Sequence, residues 1–151
     1  MGSVPDMPYN AMSDAEIATF LVADPPRTAK VATTRKDGRP HVAPVWYAVD
    51  EDGSILFNTG STTIKGRTIA RDPRIAVCVD DDRPPFSFVL LEGTAEVIDD
   101  LAQVRRWAAV IGGRYMGADR AEEYGTRNGV PGEVLIRLRP DRVTSAKDLA
   151  D

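Results

Sequence analysis

The densest set of groups able to hold an anion lies in one short stretch, Asn58-Thr59-Gly60-Ser61-Thr62-Thr63-Ile64-Lys65-Gly66-Arg67. Small hydroxyl residues and glycine join an expected strand to an expected helix. The free backbone N–H groups at such a helix start favour negative charge. Thr62 and Thr63 add hydroxyl donors, and Lys65 and Arg67 add charge suited to phosphate. The same pattern also fits a helix cap with a solvated basic face. Aromatic residues stand on either side: Val45-Trp46-Tyr47 precede the stretch, and Phe86-Ser87-Phe88 follow it. Singly, each aromatic suits a core position equally well. In this order around an anion site they suit a planar ring with a phosphate-bearing tail.

Other catalytic groups are few. With one histidine, His41, and one cysteine, Cys78, neither a histidine-rich metal cluster nor a cysteine-pair zinc site can form. No metal site is expected. Cys78 sits in an apolar run, Ile75 to Val79, and reads as a buried, inert thiol. His41 precedes an apolar strand without an acid partner, which suits hydrogen bonding better than general-base work. No Gly-x-Ser-x-Gly elbow, P-loop or Gly-x-Gly-x-x-Gly fingerprint occurs, which argues against a hydrolase or a nucleotide-dependent kinase.

The elements that would position these residues follow from periodicity. Residues 1–12 hold prolines and no periodicity, and read as a flexible arm; residues 13–151 read as one domain. Ser13 and Glu16 make a capping box for a helix whose Ile17, Phe20 and Leu21 share a face; Pro25-Pro26 ends it. Six strands are expected: Thr28–Arg35, His41–Val49, Ser54–Thr59, Arg74–Asp80, Phe86–Ile98 and Glu133–Arg139, with Arg142–Ala146 extending the sheet. The first three form a meander through turns at Lys36-Asp37-Gly38-Arg39 and Asp50–Gly53. Pro44 calls for an edge or a bulge, and Glu92-Gly93 for a bend. A helix over Thr62–Arg71 is expected to turn Ile64, Thr68 and Ile69 inward. Another, from Asp99 or Asp100 to about Tyr115, is expected to bury Leu101, Val104, Trp107, Ala108 and Ile111. A further turn or two spans Asp119–Thr126. The whole reads as a mainly β, α+β fold: a six-stranded antiparallel barrel with a few short helices. So small a barrel is filled by its own side chains, so a sizeable ligand would bind outside it, in a groove between two copies.

Net charge is −4, with basic residues spread along the chain, so no nucleic-acid partner is expected. No apolar run approaches the ~20 residues of a membrane span. The N-terminus lacks a basic-then-apolar leader layout, which makes a cytoplasmic location the expectation.

Val31 to Tyr47 resembles the opening hairpin of the pyridoxamine 5'-phosphate oxidase-like proteins, whose fold is the FMN-binding split β-barrel. Thr63 to Arg74, Asp82 to Phe88 and Arg114 to Tyr124 are similar to the branch that uses the deazaflavin coenzyme F420. The resemblance runs from Ser13 to the C-terminus; its Lys-Gly-Arg and Arg-Pro-Pro-Phe segments are the most specific. It implies a homodimer with cofactor at the interface, and hydride transfer from reduced F420 to an electron-poor small organic acceptor. By it, Thr63, Lys65, Gly66 and Arg67 hold the phosphate. Pro44, Val45, Trp46, Asn58 and Thr59 face the deazaflavin, and Phe86 and Phe88 come from the other subunit. Arg35, Lys36, Arg39 or Arg71 meets the coenzyme's carboxylate tail. A proton comes from solvent or from Tyr47. Two alternatives stay open: an FMN-binding oxidase or reductase of the same fold, and a non-enzymatic F420 carrier.

Overall fold

The structure is a computed structural model that describes residues 9–151. Most of the expected arm, residues 1–8, lies outside the described residues. Of the remainder, Asn10 bridges Lys147, and the Met12 N–H donates to Ser145 Oγ (2.9 Å).

Helix α1 (Asp14–Leu21) carries the capping box: Glu16 N–H donates to Ser13 Oγ, and Ser13 N–H to the Glu16 carboxylate. Strands β1 (Ala29–Thr34) and β2 (Pro40–Val45) pair across the first turn, where Gly38 has φ +89°. The expected second strand is divided. Trp46 and Tyr47 break it, and β3 (Ala48–Val49) pairs instead with β4 (Ile55–Gly60). Then come α2 (Ile64–Arg71), β5 (Arg74–Asp81), β6 (Ser87–Ile98), α3 (Leu101–Met116), a 3-10 turn at Ala118–Arg120, α4 (Ala121–Asn128), β7 (Glu133–Leu138) and β8 (Arg142–Ala146).

All strands are antiparallel, in the order β2-β1-β5-β6-β7-β4-β3, with β8 also on β6. The long β6 bends where expected: Ser87 to Thr94 pair with β5, whereas Ala95 to Ile98 pair with β7. A Cβ on Gly93 would meet Leu138 Cδ1 at 3.1 Å and Arg139 O at 3.2 Å, so the change of partner occurs where a side chain does not fit. β2 and β3, consecutive in the chain, end the sheet order on opposite sides. The circuit of this split β-barrel is therefore completed by the Trp46-Tyr47 backbone rather than by a ladder. Pro44 sits on the edge strand, where its missing N–H costs no ladder bond.

Inward residues of both half-sheets, Val31, Phe57, Val77, Val89 and Ile136 among them, fill the barrel. Ile69 of α2 and Leu21 of α1 join this core. α3 covers the outer face of β3, β4 and β7 through Val104, Trp107 and Ile111 against Leu56 and Leu135. Two sequence expectations fail here: Ile64 and Leu101 are both exposed. Each lies in the first turn of its helix, before the helix has settled onto the sheet. Among the described residues, no helix lies over the outer face of β2-β1-β5-β6-β8. There Val42 is 65% exposed, and Ala32, Ala76, Cys78 and Leu90 are half-buried. One covered and one uncovered face is the division that fits these antiparallel half-sheets.

Candidate functional site

The strand–helix junction at β4 and α2 is built by Thr63 and Gly66. Thr63 is the N-cap: its Oγ1 accepts from Gly66 N–H (3.0 Å) and donates to Gly60 O (2.8 Å). Thr59 Oγ1 lies 3.3 Å from the same hydroxyl. A Cβ on Gly66 would lie 2.0 Å from Gly60 O, so only glycine lets the helix start so close to the strand end. Among the described residues, the N–H groups of Ile64 and Lys65 have no internal acceptor, as a first helical turn dictates. The side chains of Lys65 and Arg67 likewise make no hydrogen bond or ion pair there. Burial pushes the Lys65 ammonium below its ordinary range, while nearby Glu133 opposes the shift. Two free N–H groups and two free cations around one helix start form a donor set suited to a phosphate. Thr63 supports that set as a cap; its own proton is already committed.

The ring-facing residues divide. Pro44 is exposed, and Trp46 is 37% exposed. Val45 and Thr59 are buried in the barrel, and Asn58 donates its amide to Val104 O (3.4 Å) under α3. For Val45 and Thr59 the backbone remains for a ligand, and for Asn58 also its half-buried side-chain carbonyl. Phe86 and Phe88 lie at the β5–β6 connection, exposed and half-buried respectively. Of the tail candidates, Arg71 donates to Thr34 O (2.6 Å) and Arg39 pairs with Asp37 (3.2 Å). Arg35 and Lys36 carry no such contact among the described residues. A cavity of about 960 Å³ lies elsewhere, between α1 and the β3–β4 turn. Within one chain, Ser61, Thr62, Thr63 and Ile64 at the β4–α2 junction are exposed.

Tyr47 corrects the sequence reading. Its side chain is 0% exposed, and its hydroxyl donates to Leu21 O at 2.6 Å. Burial raises its pKa, with Arg114 opposing. A buried phenol that holds its proton on a backbone carbonyl is not a proton donor to a surface-bound substrate.

Arg114 and Tyr115, not singled out individually by sequence, clasp the barrel corner. Arg114 donates to Tyr47 O (2.7 Å) and Leu21 O (2.8 Å), with its guanidinium 4.5 Å from the Tyr47 ring. Tyr115 Oη accepts from Tyr47 N–H (3.3 Å) and donates to Arg27 O (2.6 Å). Its ring stacks on Trp46, with centroids 5.0 Å apart and planes 4° from parallel. Backbone groups that leave a ladder need such partners. The available signal was an arginine and a tyrosine side by side in the last turn of an otherwise apolar-faced helix.

The profile of the pyridoxamine 5'-phosphate oxidase family matches residues 13–147, which include all eight strands. The chain belongs to the pyridoxamine 5'-phosphate oxidase family. Within and around this family, three relatives place it further. A conserved hypothetical protein from Mycobacterium tuberculosis superposes with a TM-score of 0.81 at 28% identity, covering 96% of this chain and 92% of the other. An F420 reductase superposes with a TM-score of 0.62 at 26% identity, over 78% of this chain and 89% of the other. The 5a,11a-dehydrotetracycline/5a,11a-dehydrooxytetracycline reductase of Streptomyces rimosus is 31% identical over 84 residues, 51% of this chain. That match spans 59% of the Streptomyces enzyme's length. This oxidase-family chain therefore has oxidoreductase relatives, and a flavin- or deazaflavin-type cofactor suits its fold.

Proposed function

We propose that this protein is a homodimeric reductase that binds coenzyme F420 at the dimer interface and passes hydride from its reduced form to an electron-poor small organic acceptor. The observation that carries the reading is the β4–α2 junction, with the free N–H groups of Ile64 and Lys65 beside the unpaired Lys65 and Arg67 side chains. The relatives named as an F420 reductase and a dehydrotetracycline reductase support the choice of cofactor and of reaction. The uncovered face around Val42 and Leu90 supports the dimer, since an apolar sheet face of this kind favours a partner.

When bound, the deazaflavin supplies the hydride chemistry; the protein supplies position and charge. Lys65 and Arg67 neutralise the phosphate, while Thr63 and Gly66 hold the helix start against Gly60. Pro44, Trp46, Asn58 and the backbone of Val45 and Thr59 border the ring. Phe86 and Phe88 of the second copy close the far side, excluding water from the reacting face. Arg35 and Lys36 are the free cations for a carboxylate tail. The proton that follows the hydride comes from solvent, since Tyr47 is withdrawn into the core.

Titration with F420 and, in parallel, FMN, followed by tryptophan fluorescence, tests the reading. Lys65→Ala and Arg67→Ala should each weaken F420 binding about tenfold or more, the loss of a charge-assisted contact. Oxidation of reduced F420 across a panel of acceptors then reads turnover. A preference for FMN moves the protein to the FMN-using reading. F420 binding without turnover on any acceptor leaves a carrier, and binding of neither cofactor overturns the proposal.

A further inference from the structure

Glu133 opens β7 and pairs with Gly60, the last residue of β4. Its carboxylate leans over the junction: a methyl placed on Gly60 would lie 3.8 Å from Glu133 Oε1 and 3.1 Å from Thr63 Cγ2. The acid and the N-cap of α2 therefore flank the same point. The Glu133 side chain is half-buried, and among the described residues it makes no hydrogen bond or ion pair. Lys65, also half-buried, is near enough for each charge to act on the other, without a direct bridge between them. A negative group that structure alone leaves unsatisfied, set beside an anion-holding helix start, has an effect on any anion bound there.

From this juxtaposition we infer that Glu133 selects the charge of the phosphate group, admitting a singly charged phosphodiester and disfavouring a doubly charged phosphomonoester. The inference rests on the proposed phosphate role of the β4–α2 junction. Its physical basis is that repulsion scales with the charge of the incoming group. A phosphodiester carries one negative charge near neutral pH, whereas a monoester, with a second pKa near ~6, carries close to two. Any penalty imposed by the carboxylate is thus doubled in free energy, and squared in affinity, for the monoester. The coenzyme F420 tail joins through a phosphodiester; FMN ends in a monoester. Lys65 and Arg67 attract both groups, and the doubly charged one more strongly, so a bias toward the diester has to come from a negative group, and Glu133 borders the junction.

The test compares F420, FMN and phosphate-free riboflavin, titrated against the full chain and against Glu133→Gln and Glu133→Ser. Each variant is first checked for an unchanged circular dichroism spectrum, and Ser serves if Gln fails to fold. Removal of the carboxylate should raise FMN affinity roughly tenfold, F420 affinity roughly threefold, and riboflavin affinity not at all, as charge scaling requires. An equal gain for FMN and riboflavin would mean altered packing and would overturn the inference. So would an FMN-to-F420 ratio that stays within twofold of the parent, including FMN binding that remains undetectable in both variants. Loss of F420 affinity in Lys65→Ala together with an unmoved ratio in the Glu133 variants sinks only this inference. Failure of the parent to bind either cofactor sinks the site itself.

Discussion

Tyr47 and Trp46 are adjacent, yet one is sealed in the core and the other stands at the surface. The difference arises because the chain turns between half-sheets here, so consecutive side chains point to unrelated environments rather than to two faces of one strand. Tyr47 holds Leu21 O, which Arg114 also holds. Tyr47→Phe should therefore cost about 1 kcal/mol of unfolding free energy, the net value of one hydrogen bond. It should leave hydride transfer from reduced F420 unchanged. Urea denaturation and a steady-state assay read the two effects, and a large loss of turnover with intact stability would restore Tyr47 as a proton donor.

At the scale of elements, the β4–α2 junction depends on a close approach that only glycine permits. Gly66→Ala adds helix propensity, worth up to ~1 kcal/mol, but drives a methyl into Gly60 O. Overpacking of this kind costs roughly 1–3 kcal/mol. The variant should be less stable in urea and should bind F420 more weakly, because the helix start must lift from the strand. An alanine variant with undiminished F420 affinity would show that the approach has no part in binding. Much of this junction was legible beforehand. Thr63, Lys65, Gly66 and Arg67 are neighbours in sequence, and hydroxyl, glycine and cation in that order announce a helix start. The capping box, the Asp-Gly turn, the edge position of Pro44 and the bend at Gly93 were readable for the same reason: each is a local rule carried by one or two residues. What was not legible is non-local. The division of the second strand depends on Arg114 and Tyr115, which lie far along the chain and supply the partners that an interrupted ladder lacks. The position of Glu133 over Gly60 depends on strand register, which no single segment specifies. Val45 and Thr59 were assigned to a ligand by resemblance, segment by segment, whereas strand alternation turns their side chains inward.

At the scale of the molecule, α3 covers one half-sheet, and among the described residues no helix covers the other, which is the bare face. The bare face contains Val42, Ala32, Ala76 and Leu90 in adjoining strands, beside the Lys30–Asp80 ion pair. Val42→Asp places a charge in that face on each copy. The proposed dimer should then dissociate, read as a halved mass in sedimentation, with the far-ultraviolet circular dichroism retained. F420 binding should fall with it, since the open junction of a single chain lacks the second wall. A Val42→Asp protein that remains dimeric would place the interface elsewhere.

The corner at Trp46-Tyr47 also sets an order of events during synthesis. The turns that pair β1 with β2 and β3 with β4 are short, so each hairpin has its partners as soon as it leaves the ribosome. The peptide joining them does not. The N–H and carbonyl of Tyr47 stay in water until Arg114 and Tyr115 have been made, by which time six of the eight strands already exist. Between the synthesis of β4 and that of the last turn of α3, the joint between the two hairpins therefore lacks its partners, and that last turn is the segment whose arrival fastens it.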